Sequence, residues 1–185
     1  MIFRKNNFIE KQNNLLTKSE CQDIISWVFA NKNINPHIDI ETSGYHDCLL
    51  YKEEIFELPE LKKLSDAIIK LKKCYVENYP EVDNTYCVWD LDYVQFKWWK
   101  PGSSFSKWHS DNGGSRNEDF KRILSFLIYL SDNDCSTEFR RYGNFKTQSG
   151  TGIMFPTFFT HEHRGSVCKM GLDRFVVGGY FSFLY

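Results

Sequence analysis

The sequence lacks several features that would have settled its class early. Among its 185 residues there is no C-x-x-C pair, no apolar run near the length of a membrane span, and no excess of either charge. Six cysteines (Cys21, Cys48, Cys74, Cys87, Cys135 and Cys168) are scattered along it. Scatter of that kind argues against a zinc ribbon or a disulfide framework. It predicts reduced thiols, packed as small buried hydrophobes, in a reducing compartment. With 23 Lys and Arg against 24 Asp and Glu, no global field recruits nucleic acid or an anionic membrane. The opening Met1–Asn7 runs into polar sequence without the apolar stretch of a signal peptide, so a cytoplasmic protein is expected. No repeat, low-complexity tract or linker divides the chain. One domain over 1–185 is expected, with a helical support region over 1–85 and a strand-rich core over 86–185.

Aromatic residues are plentiful at 17%, and many stand in alternating runs, which favours a β-rich core. Residues 1–16 read as an extended lead-in. Thr17 and Glu20 have the spacing of a capping box, and Cys21, Ile24, Ile25 and Val28 recur at helical period, so 18–31 is an amphipathic helix. From Lys32 to Gly44 the pattern dissolves into a loop, with His37 and His46 in or beside it as surface or structural histidines. Pro59 opens a second helix with Leu61, Leu64, Ile68, Leu71 and Tyr75 on one face, ending before Pro80. Its lysines read as a solvated face rather than a nucleic-acid surface.

From Tyr86 the period changes to two, with Val94, Phe96 and Trp98 alternating against Gln95 and Lys97. Pro101-Gly102 is a turn signal. Extended character resumes over Phe105–Asp111, and Asn112–Asp119 forms a polar loop, either a lid or a hairpin connection. Arg122–Leu130 is nearly continuous in apolar residues, like a strand buried on both faces. Thr137–Tyr142, Ile153–Pro156 and Arg174–Phe183 add further short strands, a pattern that suggests a sandwich or jelly roll.

His109 and Asp111 stand two apart, and residues i and i+2 of a strand share a face, so the pair could hold one ion. An imidazole and a carboxylate are two of the three ligands in the facial triad of non-heme Fe(II) oxygenases. In a chain with five histidines such a pair carries little weight alone.

The order of features around it carries more. An aromatic-x-Pro-Gly precedes His109-x-Asp111, and Arg122-x-Leu-Ser-Phe opens a Tyr-Leu strand. Thr-Glu-Phe, Gly-x-Ile-x-Phe-Pro, a distal His, and Gly-x-x-Arg before the last hydrophobic strand follow. In that order the segment 93–183 resembles the Fe(II)/2-oxoglutarate-dependent dioxygenases of the prolyl-4-hydroxylase-like branch. Leu16–Cys21 is similar to that branch's opening helix.

The resemblance implies an α+β, mainly β fold: a double-stranded β-helix (jelly roll) with N-terminal helices packed on the major sheet. It implies Fe(II), 2-oxoglutarate and O₂ as cofactors, with ascorbate a candidate addition. His109, Asp111 and a distal histidine would bind the metal. Spacing from Phe155 and to Arg174 favours His163 over His161 as that third ligand. Arg174 would take the distal carboxylate of 2-oxoglutarate, with Lys169 and Arg164 as substitutes. Trp99 stands where the family often carries a Tyr that helps hold 2-oxoglutarate, and Tyr129 or Tyr93 could supply the missing hydroxyl. Trp98, Phe105 and Trp108 are candidates for a substrate entrance or for core packing.

The implied activity is hydroxylation of a C–H bond, with peptidyl proline the first substrate and a free amino acid or other small molecule the alternative. A modified nucleobase comes third, since no stacking platform or basic groove is evident. A non-catalytic jelly-roll binding module is the rival from another class, and a zinc hydrolase on a cupin-like barrel the rival enzyme. The partners expected are a peptide or small-molecule substrate, with no membrane and no nucleic acid, the oligomeric state being open.

Overall fold

The computed structural model describes residues 7–37, 44–83, 87–113, 117–168 and 171–184. Among these, the strands are β1 (Glu10–Gln12), β2 (Asn35–His37), β3 (Tyr45–Leu49), β4 (Trp89–Trp99) and β5 (Arg122–Tyr129). They continue with β6 (Ser136–Phe139), β7 (Gly143–Lys146), β8 (Gly152–Pro156), β9 (His163–Gly165) and β10 (Arg174–Phe183). All pair antiparallel. The larger sheet runs β1-β8-β5-β10-β4-β3-β2 and the smaller β7-β6-β9. This is the expected jelly roll. The helices are α1 (Lys18–Asn31), α2 (Lys52–Glu57) and α3 (Lys62–Asn78).

The helices form where local chemistry and apolar spacing agree. Thr17 Oγ1 accepts from the Glu20 N–H at 3.2 Å while Glu20 accepts from the Thr17 N–H at 2.8 Å, so α1 starts on a full capping box. Cys21, Ile24, Ile25 and Val28 of α1, and Leu64, Ile68, Leu71 and Tyr75 of α3, press on one face of the larger sheet. There they meet Leu91, Val94, Phe96, Phe126, Val177 and Phe181. Each such buried side chain is worth about 1.5–3 kcal/mol before entropy is counted. The lysines of α3 are largely paired: Lys62 with Asp66, Lys72 with Asp90, Lys73 with Glu77 and Lys63 with Glu20. That face is neutralised rather than basic.

Strand alternation decides what the opposite face offers. In β4, Val94 and Phe96 point to the helices, whereas Tyr93, Gln95, Lys97 and Trp99 line a cavity of about 590 Å³ between the sheets. The central strand β10 pairs with both β4 and β5. A Cβ on Gly179 would stand 2.1 Å from the Tyr93 carbonyl oxygen, so only glycine lets β10 lie that close to its neighbour.

Several expectations need correction. Part of the loop foreseen after Lys32 is the strand β2, paired to β3 at the sheet edge. Helix α2 and strand β7 were not foreseen. Phe105–Asp111 is not a strand: it makes one isolated bridge, His109 to His163. Cys135 and Cys168 form a disulfide, contrary to the reading of six reduced thiols. Antiparallel pairing of β6 with β9 sets Thr137 opposite Gly165, and so delivers the flanking cysteines, 33 residues apart, to a Cα separation of 4.6 Å. Cys21 and Cys48 are buried as expected, but Cys87 is exposed. Of the 112–119 loop, residues 114–116 lie outside the described residues, as do Tyr86 and Lys169.

Candidate active site

After β4 the chain turns at Pro101-Gly102, where Gly102 has φ +81°, and runs irregularly to His109. His109 is fastened to His163 by two backbone hydrogen bonds, of 3.1 and 2.9 Å. Asp111 then opens a turn. It is this turn, not strand pleat, that swings Asp111 towards both rings. Its Oδ1 lies 3.5 Å from His109 Nε2, and its Oδ2 3.7 Å from His163 Nε2. One ligand atom from each residue falls within 4.8 Å of the others.

Each ring is oriented from behind. His109 Nδ1 lies 3.0 Å from the Lys107 carbonyl and His163 Nδ1 3.1 Å from the His161 carbonyl. A carbonyl accepts only, so each Nδ1 carries a proton and each Nε2 is left facing Asp111. Asp111 is held as well: Tyr180 Oη donates to its Oδ1 at 3.3 Å, and Arg122 Nη1 donates to its carbonyl at 3.0 Å. Arg122 is itself fixed by Asp119 at 2.7 Å.

Electrostatics put Asp111 and His163 in the protonation states a cation needs. Burial alone would raise the pKa of Asp111; His163, His109 and Lys97 outweigh it and hold the carboxyl well below the usual carboxylate range. Burial pushes His163 down to about 4, against the pull of Asp111. Asp111 Oδ2 is buried and finds no hydrogen-bond partner among the described residues. Two imidazole nitrogens and a carboxylate with an unspent oxygen are a donor set suited to Fe(II) with open positions.

His161 is placed elsewhere. It sits in a 3₁₀ turn, with Nδ1 2.9 Å from Thr160 Oγ1 and Nε2 2.9 Å from the Asn7 carbonyl, its ring against Tyr142. Both nitrogens are engaged away from Asp111.

A second cluster lies at the start of β10. Arg174 is buried; its Nη2 donates to Thr137 Oγ1 at 3.3 Å, and Tyr129 Oη donates to the same oxygen at 2.8 Å. The Trp99 ring lies 5.2 Å from the guanidinium carbon. Gly165 makes room, since a Cβ there would be 2.9 Å from Arg174 Nη1. Arg174 Nε and Trp99 Nε1 are buried donors without partners among the described residues. Unpaired buried donors are costly, and a carboxylate would satisfy both kinds.

The other candidates divide. Arg164 is committed to Glu138 at 2.8 Å. Tyr93 pairs with Tyr180, six residues along β10 from Arg174 and so roughly 20 Å away. Trp98 packs on Phe29 and Phe175 on the helix side, not at an entrance. Phe105 lines the cavity, and Trp108 is flanked by Arg140 and Arg164. Thr137, Tyr180, Arg122, Lys97 and Asp47 escaped the sequence reading as site residues. Only the alternation of β4 held a signal, by putting Lys97 on the face of Gln95 and Trp99.

Solved structures share this architecture at low identity. The viral collagen prolyl hydroxylase of Paramecium Bursaria Chlorella virus-1, solved with 2-oxoglutarate, superposes with a TM-score of 0.72 at 16% identity, covering 96% of this chain and 97% of that one. A prolyl hydroxylase of Trichoplax adhaerens, bound to a hypoxia inducible factor peptide fragment, gives 0.65 at 12%, covering 96% and 84%. The α-ketoglutarate-dependent epimerase SnoN of nogalamycin biosynthesis gives 0.69 at 8%, covering 97% and 79%. No curated protein matches the sequence. Among the described residues no helix is long and apolar enough to cross a membrane. Residues 94–182, just under half of the chain and the stretch that holds the triad and Arg174, match the 2OG-Fe(II) oxygenase superfamily, and it is to that superfamily that the chain is similar.

Proposed function

We propose that His109, Asp111 and His163 hold Fe(II), that Arg174 holds the distal carboxylate of 2-oxoglutarate, and that the enzyme hydroxylates an unactivated C–H bond. The observation that carries this reading is the pairing of two incomplete sites in one cavity: a converged triad with an unspent Asp111 oxygen, and a buried Arg174 with an unspent Nε. Bound Fe(II), with 2-oxoglutarate and O₂, supplies the oxidising power, and succinate and CO₂ are the co-products.

The chain's own residues do the rest. Arg174 orients a carboxylate, assisted by the Trp99 indole N–H in place of a tyrosine hydroxyl. Thr137 holds Arg174 Nη2 and the Tyr129 hydroxyl together, so Tyr129 acts through Thr137. Tyr180 and Arg122 fix Asp111. The prolyl hydroxylases among the structural neighbours support peptidyl proline as the first substrate to try. One observation, a lysine inside the cavity, favours a small charged molecule instead.

Anaerobic addition of Fe(II) and 2-oxoglutarate should give a weak visible metal-to-ligand charge-transfer band. His163→Ala should abolish it and His161→Ala should leave it. A band lost in His161→Ala but kept in His163→Ala would overturn the ligand assignment.

A further inference from the structure

Lys97 lies on the cavity face of β4, opposite Val176 of β10 and Asp47 of β3. It stands one pleat along from Trp99, on the side towards Tyr93. The other cations of the cavity have work. Arg122 is paired with Asp119, Arg164 with Glu138, and Arg174 belongs to the co-substrate end. Among the described residues the Lys97 ammonium makes no salt bridge and no hydrogen bond; the Tyr45 ring centroid lies 5.9 Å from it. A partly buried ammonium without a partner is costly.

Asp47 does not meet that need. The two residues are directly opposed across the strand pair, with Cβ atoms about 4.5–5.5 Å apart. Yet Asp47 is buried and spends Oδ1 on His37 Nε2 at 2.7 Å, and the His37 ring is stacked on Tyr45. A cation and an anion thus stand side by side in the cavity without joining. Lys97 helps hold Asp111 ionised only as a neighbouring charge; among the described residues it makes no ion pair with the triad. Fe(II) held by Asp111 would neutralise the keto-acid end of 2-oxoglutarate, and Arg174 would neutralise its distal end.

We infer that the primary substrate is a free α-amino acid, its carboxylate on Lys97 and its ammonium on Asp47. This rests on the dioxygenase reading above and names the substrate class of the same site. An internal peptide residue carries neither charge. Seating one there would bury the Lys97 ammonium against neutral amides.

The probes are the twenty protein L-amino acids and their α-carboxamides, added to the anaerobic enzyme with Fe(II) and 2-oxoglutarate. The charge-transfer band reports binding without turnover. At least one amino acid should shift the band, and its carboxamide should bind ten-fold or more weaker. Lys97→Met should erase that preference while the 2-oxoglutarate titration stays within two-fold of wild type. Lys97→Arg should keep part of the preference, so a folding defect cannot imitate the result. Equal binding of acid and amide, or no response to any amino acid, would overturn the inference. So would a ten-fold loss of 2-oxoglutarate affinity in Lys97→Met, which would assign Lys97 to the co-substrate. Absence of the band in wild type would sink the dioxygenase reading itself, before any amino acid is added.

Discussion

Replacing Tyr180 by Phe removes the hydroxyl that donates to Asp111 Oδ1 and leaves the ring on Arg122, 3.9 Å from its guanidinium carbon. Partners behind a ligand typically govern metal affinity by 10–100-fold. Tyr180→Phe should therefore weaken Fe(II) binding by about ten-fold with little change in melting temperature, as read by metal titration and thermal unfolding. The buried His163 makes a different prediction. Its folded pKa of about 4 lies below the ordinary 6.5, so the unfolded chain takes up a proton that the folded chain refuses. The resulting stability is full above pH 6.5 and is lost as pH falls towards 4, on the order of 3 kcal/mol in all. Below that, Asp111, held down in the fold, takes more away. Urea titrations of the metal-free protein should show stability falling across this window, and His163→Gln should flatten the slope between pH 6.5 and 4.

Elements differed in how plainly the sequence announced them. Helix α1 begins and ends where its capping box and apolar period put it, because local propensity and burial agree. Thr17→Ala should cost about 1 kcal/mol, seen as a lower denaturation midpoint with an unchanged slope. The face assignment of β4 was legible because strict alternation leaves only two choices. Strand β2, with all three residues exposed, and β7, polar and four residues long, carry no apolar pattern; only tertiary pairing makes them strands. The disulfide was invisible for a related reason. Cys135 and Cys168 meet through the register of β6 and β9, which no spacing rule contains. His109 and Asp111 were found by a strand argument although His109 makes only an isolated bridge and Asp111 lies on a turn. The residue types were informative, and the assumed backbone was not.

At the scale of the molecule, helices on one face of the larger sheet and a cavity on the other make the site depend on contacts far apart in sequence. The disulfide closes a loop of 33 residues that includes His161 and His163. Cutting such a loop is worth roughly 3–4 kcal/mol in the chain-entropy account. Calorimetry with and without reductant should show that loss, and a Cys168→Ser variant should be insensitive to reductant. The charge of the cavity was hidden from the sequence, because Lys97, Asp47 and Arg174 come from three strands that only the fold brings together.

The place of β10 has a consequence for how the protein is made. It is the last element of the described chain, yet it occupies the middle of the seven-stranded sheet, between β5 and β4. During synthesis from the N-terminus, β1, β8 and β5 can assemble on one side and β4, β3 and β2 on the other. Until Arg174–Phe183 leaves the ribosome, each half shows a bare edge with unpaired backbone groups, the kind of edge that recruits other chains. Folding of the larger sheet should therefore wait on β10, and be slow as for other folds dominated by non-local pairing. A nascent chain stalled before β10 should be the form that chaperones hold.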